Sequence, residues 1–258
     1  MNSHDPLVED EGTGYLMSVS DMMSGLLFIF IIALTAFIIS FQAARDQAKA
    51  ALNEATDARA QRSSMLKEIE TTLSDKYGIQ VTIDADHGIL RIPNRTVSFP
   101  LSRARLTPIE LEKLRHVADV MADVVSCYAA GKHVPKRCDQ AKKGELDAAL
   151  IEGHTDNMPV AAHARFKDNL ELSTARAAYT YRNMVDFEHI LGELVNRDGQ
   201  PIFSVSGYGQ KRPVVPHATP TPDPRNRRID IRFIMAPPSG SEEDNPVVHD
   251  LQQAGVSQ

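Results

Sequence analysis

From Met22 to Phe41 the chain reads MMSGLLFIFIIALTAFIISF, twenty residues without a charge or a proline. As a helix rising 1.5 Å per residue, such a run spans about 30 Å, the thickness of a bilayer's hydrocarbon layer. A cleaved signal peptide is the competing reading. Against it, the preceding residues hold Asp5, Glu9, Asp10 and Glu11 but neither Lys nor Arg, and no small-residue cleavage site is convincing. The expected order is a short tail over 1–14 and a retained membrane helix over 15–41, with Tyr15 placed as an interfacial anchor.

The rest of the chain is globular in composition. Of 258 residues, 42% are apolar and 24% charged, which excludes wholesale disorder. With 28 Lys and Arg against 34 Asp and Glu, the net charge of −6 argues against a general nucleic-acid binder. Past the membrane run, Phe41, Ala44, Ala48, Ala51, Ala55, Ala58, Met65 and Ile69 recur in steps of three and four, interrupted at Arg62. That stripe fits either a solvated helix leaving the membrane or a helical linker over 42–77 that pairs with a second copy to give a homodimer.

From 78 to 236 the pattern alternates between strands and helices. Ile79–Ile83 and Ile89–Ile92 flank the turn residues Asp84–Gly88 and predict a hairpin. Thr107 and Pro108 open a helix, one as cap and the other at its first position. Leu146–Glu152, Phe203–Ser206 and Ile229–Ile234 read as strands, and Asn169–Phe187 as a second helix. In the last strand Ile229, Ile231 and Phe233 are expected inward, Asp230 and Arg232 outward. The fold class is α+β: a mixed sheet with helices on one face, long enough to bury a core unaided. Cys127 and Cys138 fit a disulfide outside the cytoplasm or two separate thiols. After Pro237 the chain is rich in Pro, Gly, Ser and acids, and is expected to be disordered over 237–258.

Three places hold candidate chemistry. Asp21 lies at the lip of the apolar run, where it would either cap the helix at the water interface or load and unload a proton. Asp156, at the end of a strand in IEGHTDN, and Arg176, within the following helix, form an ordinary salt bridge or grip a zwitterion. In the second case the carboxylate takes an ammonium group and the guanidinium forks onto a carboxylate. GYGQKRP at 207–213 and NRRIDI at 226–231 add a glycine turn and a basic strand start. His154, Asp156 and His163 lack a second ligand cluster or a nucleophile–base pair, so no enzyme and no metal site is expected.

Together these pieces form a pattern. Gly153-His154-Thr155-Asp156, Asn169 with Leu172-Ser173 and Arg176-Ala177, Gly207, Gly209 and Pro213, then Asn226-Arg227-Arg228 resemble the OmpA-like peptidoglycan-binding domain. The resemblance implies a periplasmic domain over 78–236 that binds the diaminopimelate residue of the cell-wall stem peptide. Asp156 and Arg176 would hold its amino-acid end, and Thr155, Asn169, Leu172 and Arg227 would line the same pocket. The segment between Asp156 and Asn169 is longer than the family pattern and contains Pro159.

The approach Ser18-Val19-Ser20-Asp21-Met22-Met23 resembles MotB-like stator subunits of proton-driven motors, and SVSDMMSGLLFIFII is similar to the B components of the Zorya anti-phage defence system. That resemblance implies a proton-carrying Asp21, an inner-membrane single-pass topology with the N-terminus cytoplasmic, and a MotA- or ZorA-like multi-pass partner, pentameric in the family. A flagellar stator, or a passive wall anchor without ion flow, are the alternatives. Arg45 and Lys49 follow the membrane run and no cation precedes it, a charge bias that taken alone would place the C-terminal part inside. No cofactor is implied.

Overall fold

A computed structural model describes residues 11–131, 138 and 145–237. The expectations for residues 1–10 and for the tail beyond 237 lie outside the described residues. The chain divides into two units, Met1–Asn53 and Glu54–Gln258.

In the first unit the described chain is all helix, the opening part of α1 (Glu11–Tyr77). Every side chain from Val19 to Asn53 is exposed, including Phe28 at 66% and Ile29 at 69%. The helix is long and apolar enough to cross a membrane by length and composition. A helix of this composition is compatible with lipid, because it satisfies its own backbone hydrogen bonds.

The second unit begins earlier than position 78, where the sequence pattern draws the domain boundary. Met65, Leu66, Ile69 and Leu73, from the last turns of α1, are fully buried in its core. The stripe containing Met65 and Ile69 fitted either a solvated helix or a seam with a second copy; these two residues are instead buried within one chain. Arg62, which breaks the seam, donates from Nη2 to the carbonyls of Ala85 and Asp86 at 3.2 and 2.9 Å and ties the helix to a hairpin turn. Large apolar residues seek the nearest apolar surface, and here that surface lies in the same molecule.

The sheet contains β1 (Thr82–Asp84), β2 (Ile89–Pro93), β3 (Leu146–His154), β4 (Phe203–Gly209) and β5 (Arg228–Met235), in the order β1-β2-β5-β3-β4. All neighbours are antiparallel except β3 and β4, whose parallel pairing requires the crossover supplied by α3 (Asn169–Phe187). Helix α2 (Pro108–Val125) starts as its sequence predicts, with Thr107 Oγ1 accepting from the Glu110 amide. Asp168 caps α3 in the same way through the Glu171 amide. A 3-10 turn at His189–Gly192, not anticipated from the pattern, follows α3. Cys127 and Cys138 form a disulfide with Cα atoms 5.1 Å apart, linking the end of α2 to the segment before β3.

The alternation expected in β5 is present, but its polar face is not open to water. Ile229, Ile231 and Phe233 enter the core as expected. Asp230 is only 1% exposed, and this corrects the outward assignment. Its carboxylate accepts from Arg91 at 3.1 and 3.2 Å and from Arg228 at 2.9 Å, while Arg232 forks onto Glu152 at 2.8 and 3.1 Å. The second face of the sheet is therefore covered by its own ion pairs.

Candidate functional site

Two glycines set the site. A Cβ on Gly153 in β3 would lie 2.1 Å from the Ser173 carbonyl oxygen, and one on Gly207 in β4 would lie 2.1 Å from Thr174 Oγ1 and 2.6 Å from its amide nitrogen. Any other residue would push α3 off the strands. With glycine at both positions, the start of α3 settles over the carboxyl ends of the parallel pair and brings Asn169, Leu172 and Arg176 beside Thr155 and Asp156.

All six positions named by the resemblance line one cavity: Thr155, Asp156, Asn169, Leu172, Arg176 and Arg227. Asp156 and Arg176 are buried, at 5% and 4% exposure, yet they do not pair with each other. The ordinary Asp156–Arg176 salt bridge is thus not what the structure contains. Asp156 Oδ2 instead accepts from Arg227 Nη1 at 2.7 Å and from the Asp223 amide at 3.3 Å.

Arg176 donates from Nε to the Arg103 carbonyl at 3.0 Å and from Nη2 to the Pro100 carbonyl at 3.2 Å, with its guanidinium 5.2 Å from the Phe99 ring centroid. Burial pushes its pKa down to about 10; nearby Arg227 adds to the fall, whereas Asp156 opposes it. The group stays charged at neutral pH. A buried cation held by two neutral carbonyls would gain from a ligand carboxylate, which adds a compensating charge and accepts two parallel hydrogen bonds from the planar guanidinium.

The strap between β2 and α2 supplying those carbonyls, residues 98–105, was not flagged by any sequence pattern. Ser102 within it has φ +53°, a left-handed conformation uncommon for a side-chain-bearing residue, and its Oγ accepts from the Ala161 amide at 3.2 Å. Leu101 and Ser102, with Met158, Pro159 and Val160 of the long segment before α3, roof the cavity. It encloses about 20 Å³, room for a single water. The pocket is assembled but narrow.

Around it, other motif residues do supporting work. Asn226 accepts from the Val214 and Val215 amides at 2.8 and 3.0 Å and donates to the Val215 carbonyl, pinning the 214–215 loop. Asn157 bridges the His217 and Thr219 carbonyls and the Thr221 amide. Asp223, which the sequence reading missed, is held by Arg225 and His217, and these contacts keep its carboxyl well below the usual range. A turn acid with a basic residue two positions on is too common a pattern to single it out.

His154 lies behind the pocket, 2% exposed and stacked on Tyr208 at 5.3 Å. Burial pushes its pKa down to about 3, with Arg228 contributing next. Neither ring nitrogen makes a hydrogen bond, although Nε2 lies 3.6 Å from Asp230 and 3.9 Å from Glu152. Ligand atoms of Glu152, His154 and Asp230 fall within 4.8 Å of one another. Three guanidinium groups already hold those two carboxylates, so a divalent cation would enter against excess positive charge. His163 is exposed on the segment before α3 and lines a different cavity from Asp156.

Asp21 lies in the exposed, lipid-compatible stretch of α1. The neighbouring Ser24 turns its hydroxyl back onto the Ser20 carbonyl at 2.8 Å, which spares one polar group from facing an apolar medium.

No protein-family model matches the chain. Over 96 residues, 37% of this chain, it is 35% identical to the Motility protein B of Bacillus subtilis, a match that spans about a third of that protein's length. Among solved structures, a putative MotB-like protein from Desulfovibrio vulgaris aligns with 70% of this chain and 98% of its own, at 20% identity and a TM-score of 0.48. The periplasmic domain of Helicobacter pylori MotB aligns with 66% of this chain and 87% of its own, at 19% identity and a TM-score of 0.41. The cell-wall anchor of the type VI secretion system from Pseudomonas aeruginosa aligns with 64% of this chain and 94% of its own, at 21% identity and a TM-score of 0.43. At these scores the structural likenesses say nothing of ligand or role. The sequence match makes this chain similar, over somewhat more than a third of its length, to a bacterial motility protein.

Proposed function

We propose that this chain is a membrane stator subunit that anchors its complex to peptidoglycan. The convergence of Asp156, Arg176, Thr155, Asn169, Leu172 and Arg227 on one cavity is the observation that supports the anchor. An acid held by a guanidinium and an arginine held by replaceable carbonyls suit the ammonium and carboxylate of a diaminopimelate end. About 20 Å³ does not admit an amino acid, so binding requires the lining to give way.

The test is co-sedimentation of the full-length chain with isolated peptidoglycan sacculi. Asp156→Ala and Arg176→Ala are each expected to abolish it. Undiminished binding by both variants, with unfolding transitions still cooperative, would refute the pocket assignment. Asp156→Asn, which keeps the shape, guards against a variant that merely unfolds.

The membrane half of the proposal rests on Asp21 in an exposed apolar helix and on the similarity to Motility protein B. In this reading the N-terminus is cytoplasmic, the C-terminal domain periplasmic, and two copies act with a MotA- or ZorA-like pentamer. Protons cross by way of Asp21, each worth about 2.3 kcal/mol per 100 mV. Asp21→Asn is expected to abolish proton-driven activity while leaving sacculus binding unchanged; retained activity would leave only a passive anchor. Within this class, the segment SVSDMMSGLLFIFII favours a Zorya defence role. The motility relative favours a flagellar one. Restored phage resistance or restored swimming in a deletion strain separates the two.

A further inference from the structure

The narrow pocket has a much larger neighbour. A groove of about 890 Å³ shares Leu101 and Ser102 with it as a common wall. Arg103 and Arg105 of the strap, Arg165 of the segment before α3 and Arg182 of α3 line this groove, opposed by a single acid, Glu171. All four arginines are exposed, and none of their side chains forms an ion pair or hydrogen bond with a described residue. Glu171 is itself engaged, accepting from the Lys167 amide at 2.7 Å. In a chain of net charge −6, four unpaired cations around one concavity form a local field of opposite sign.

The wall between the two cavities limits what the groove can be reading. Leu101 and Ser102 line both cavities, so a ligand gripped by Asp156 and Arg176 that extends past these two residues reaches the arginine-lined space. Leu101, 77% exposed, offers an apolar contact at that threshold. A stem peptide bears further free carboxylates along its length, and planar guanidinium forks match them. From this arrangement we infer that the groove is a second subsite, which takes the remaining carboxylates of the peptide whose amino-acid end occupies the narrow pocket. The subsite rests on the anchoring role proposed above and adds a specificity element to it: recognition of a polyanionic peptide rather than of one amino acid.

Exposed charge contacts are individually weak and additive in a field, so the expected loss is graded rather than absolute. In co-sedimentation of the full-length chain with sacculi, the combined variant Arg103→Gln, Arg105→Gln, Arg165→Gln and Arg182→Gln should bind about tenfold more weakly than wild type at about 50 mM salt, with the difference shrinking at about 200 mM. The corresponding four Lys substitutions should restore most of the binding. Treating sacculi with hydrofluoric acid, which strips phosphate polymers, should leave the difference intact.

A quadruple Gln variant that binds as wild type does, with Asp156→Ala still inactive, would overturn the subsite and leave the anchor standing. A difference that vanishes after acid treatment would also overturn it, because the groove would then be reading phosphate. Wild-type chain that fails to bind sacculi would overturn the anchor and the subsite together.

Discussion

The two faces of the sheet are built from the same strands and obey different physics. On one, Leu90, Ile92, Ile151, Ile229, Ile231 and Phe233 pack into the hydrophobic core with α2 and the end of α1. On the other, Arg91, Glu152, His154, Arg228, Asp230 and Arg232 form a net of ion pairs around an uncharged imidazole. Alternation along each strand separates them residue by residue. The apolar face is stabilised by area removed from water and is indifferent to pH. The charged face depends on each group keeping its partner and its protonation state. The pocket sits where the strands of both faces end, so its shape inherits from the two.

This contrast can be broken most severely on the charged face. Asp230→Ala leaves Arg91 and Arg228 without their shared carboxylate in a buried setting, a loss of about 3–5 kcal/mol that urea unfolding should register. Replacing the two arginines by Met in the same chain should recover a large part, because a satisfied apolar cluster avoids the desolvation penalty. On the apolar face, Ile231→Ala removes a fully buried side chain. It should cost about 2–5 kcal/mol, by an amount unchanged between pH 5 and 7.

The pH dependence is the most diagnostic effect. His154 has a folded pKa of about 3 against 6.5 for the free side chain. Below 6.5 the unfolded chain therefore binds a proton that the folded chain refuses, and stability falls as pH drops from 6.5 toward 3. The contribution is complete above 6.5, and its slope approaches about 1.4 kcal/mol per pH unit within that window. His154→Asn should flatten that part of the profile of urea midpoint against pH, with Ile231→Ala as the control that leaves it unchanged. An unaltered slope in the Asn variant would locate the acid sensitivity elsewhere on the net.

Much of the architecture was legible because its signals are local. The caps at Thr107 and the period of α2 and α3 come from neighbouring residues, and the structure repeats them within a residue or so. Gly207 could be seen as part of a glycine turn; the task it shares with Gly153, admitting α3 to within a Cβ's reach of β3 and β4, could not. The burial of Met65 and Ile69 in their own domain was not legible, because period reveals that a face is apolar and says nothing about which surface will cover it. The strap was invisible for a related reason. Its carbonyls meet Arg176 from positions 73 and 76 residues away, and no periodicity encodes a contact of that separation.

By itself, then, the sequence determined the apolar helix and the order of strands and helices. Those properties follow from propensity, period and side-chain chemistry, all written within a few turns of chain. Only the tertiary structure decided that Asp156 would pair with Arg227 rather than Arg176, that the strap would occupy the arginine, and that Asp230 would be buried. Each depends on which distant backbone arrives at an already desolvated group, and burial obliges that group to take whatever partner the packing delivers.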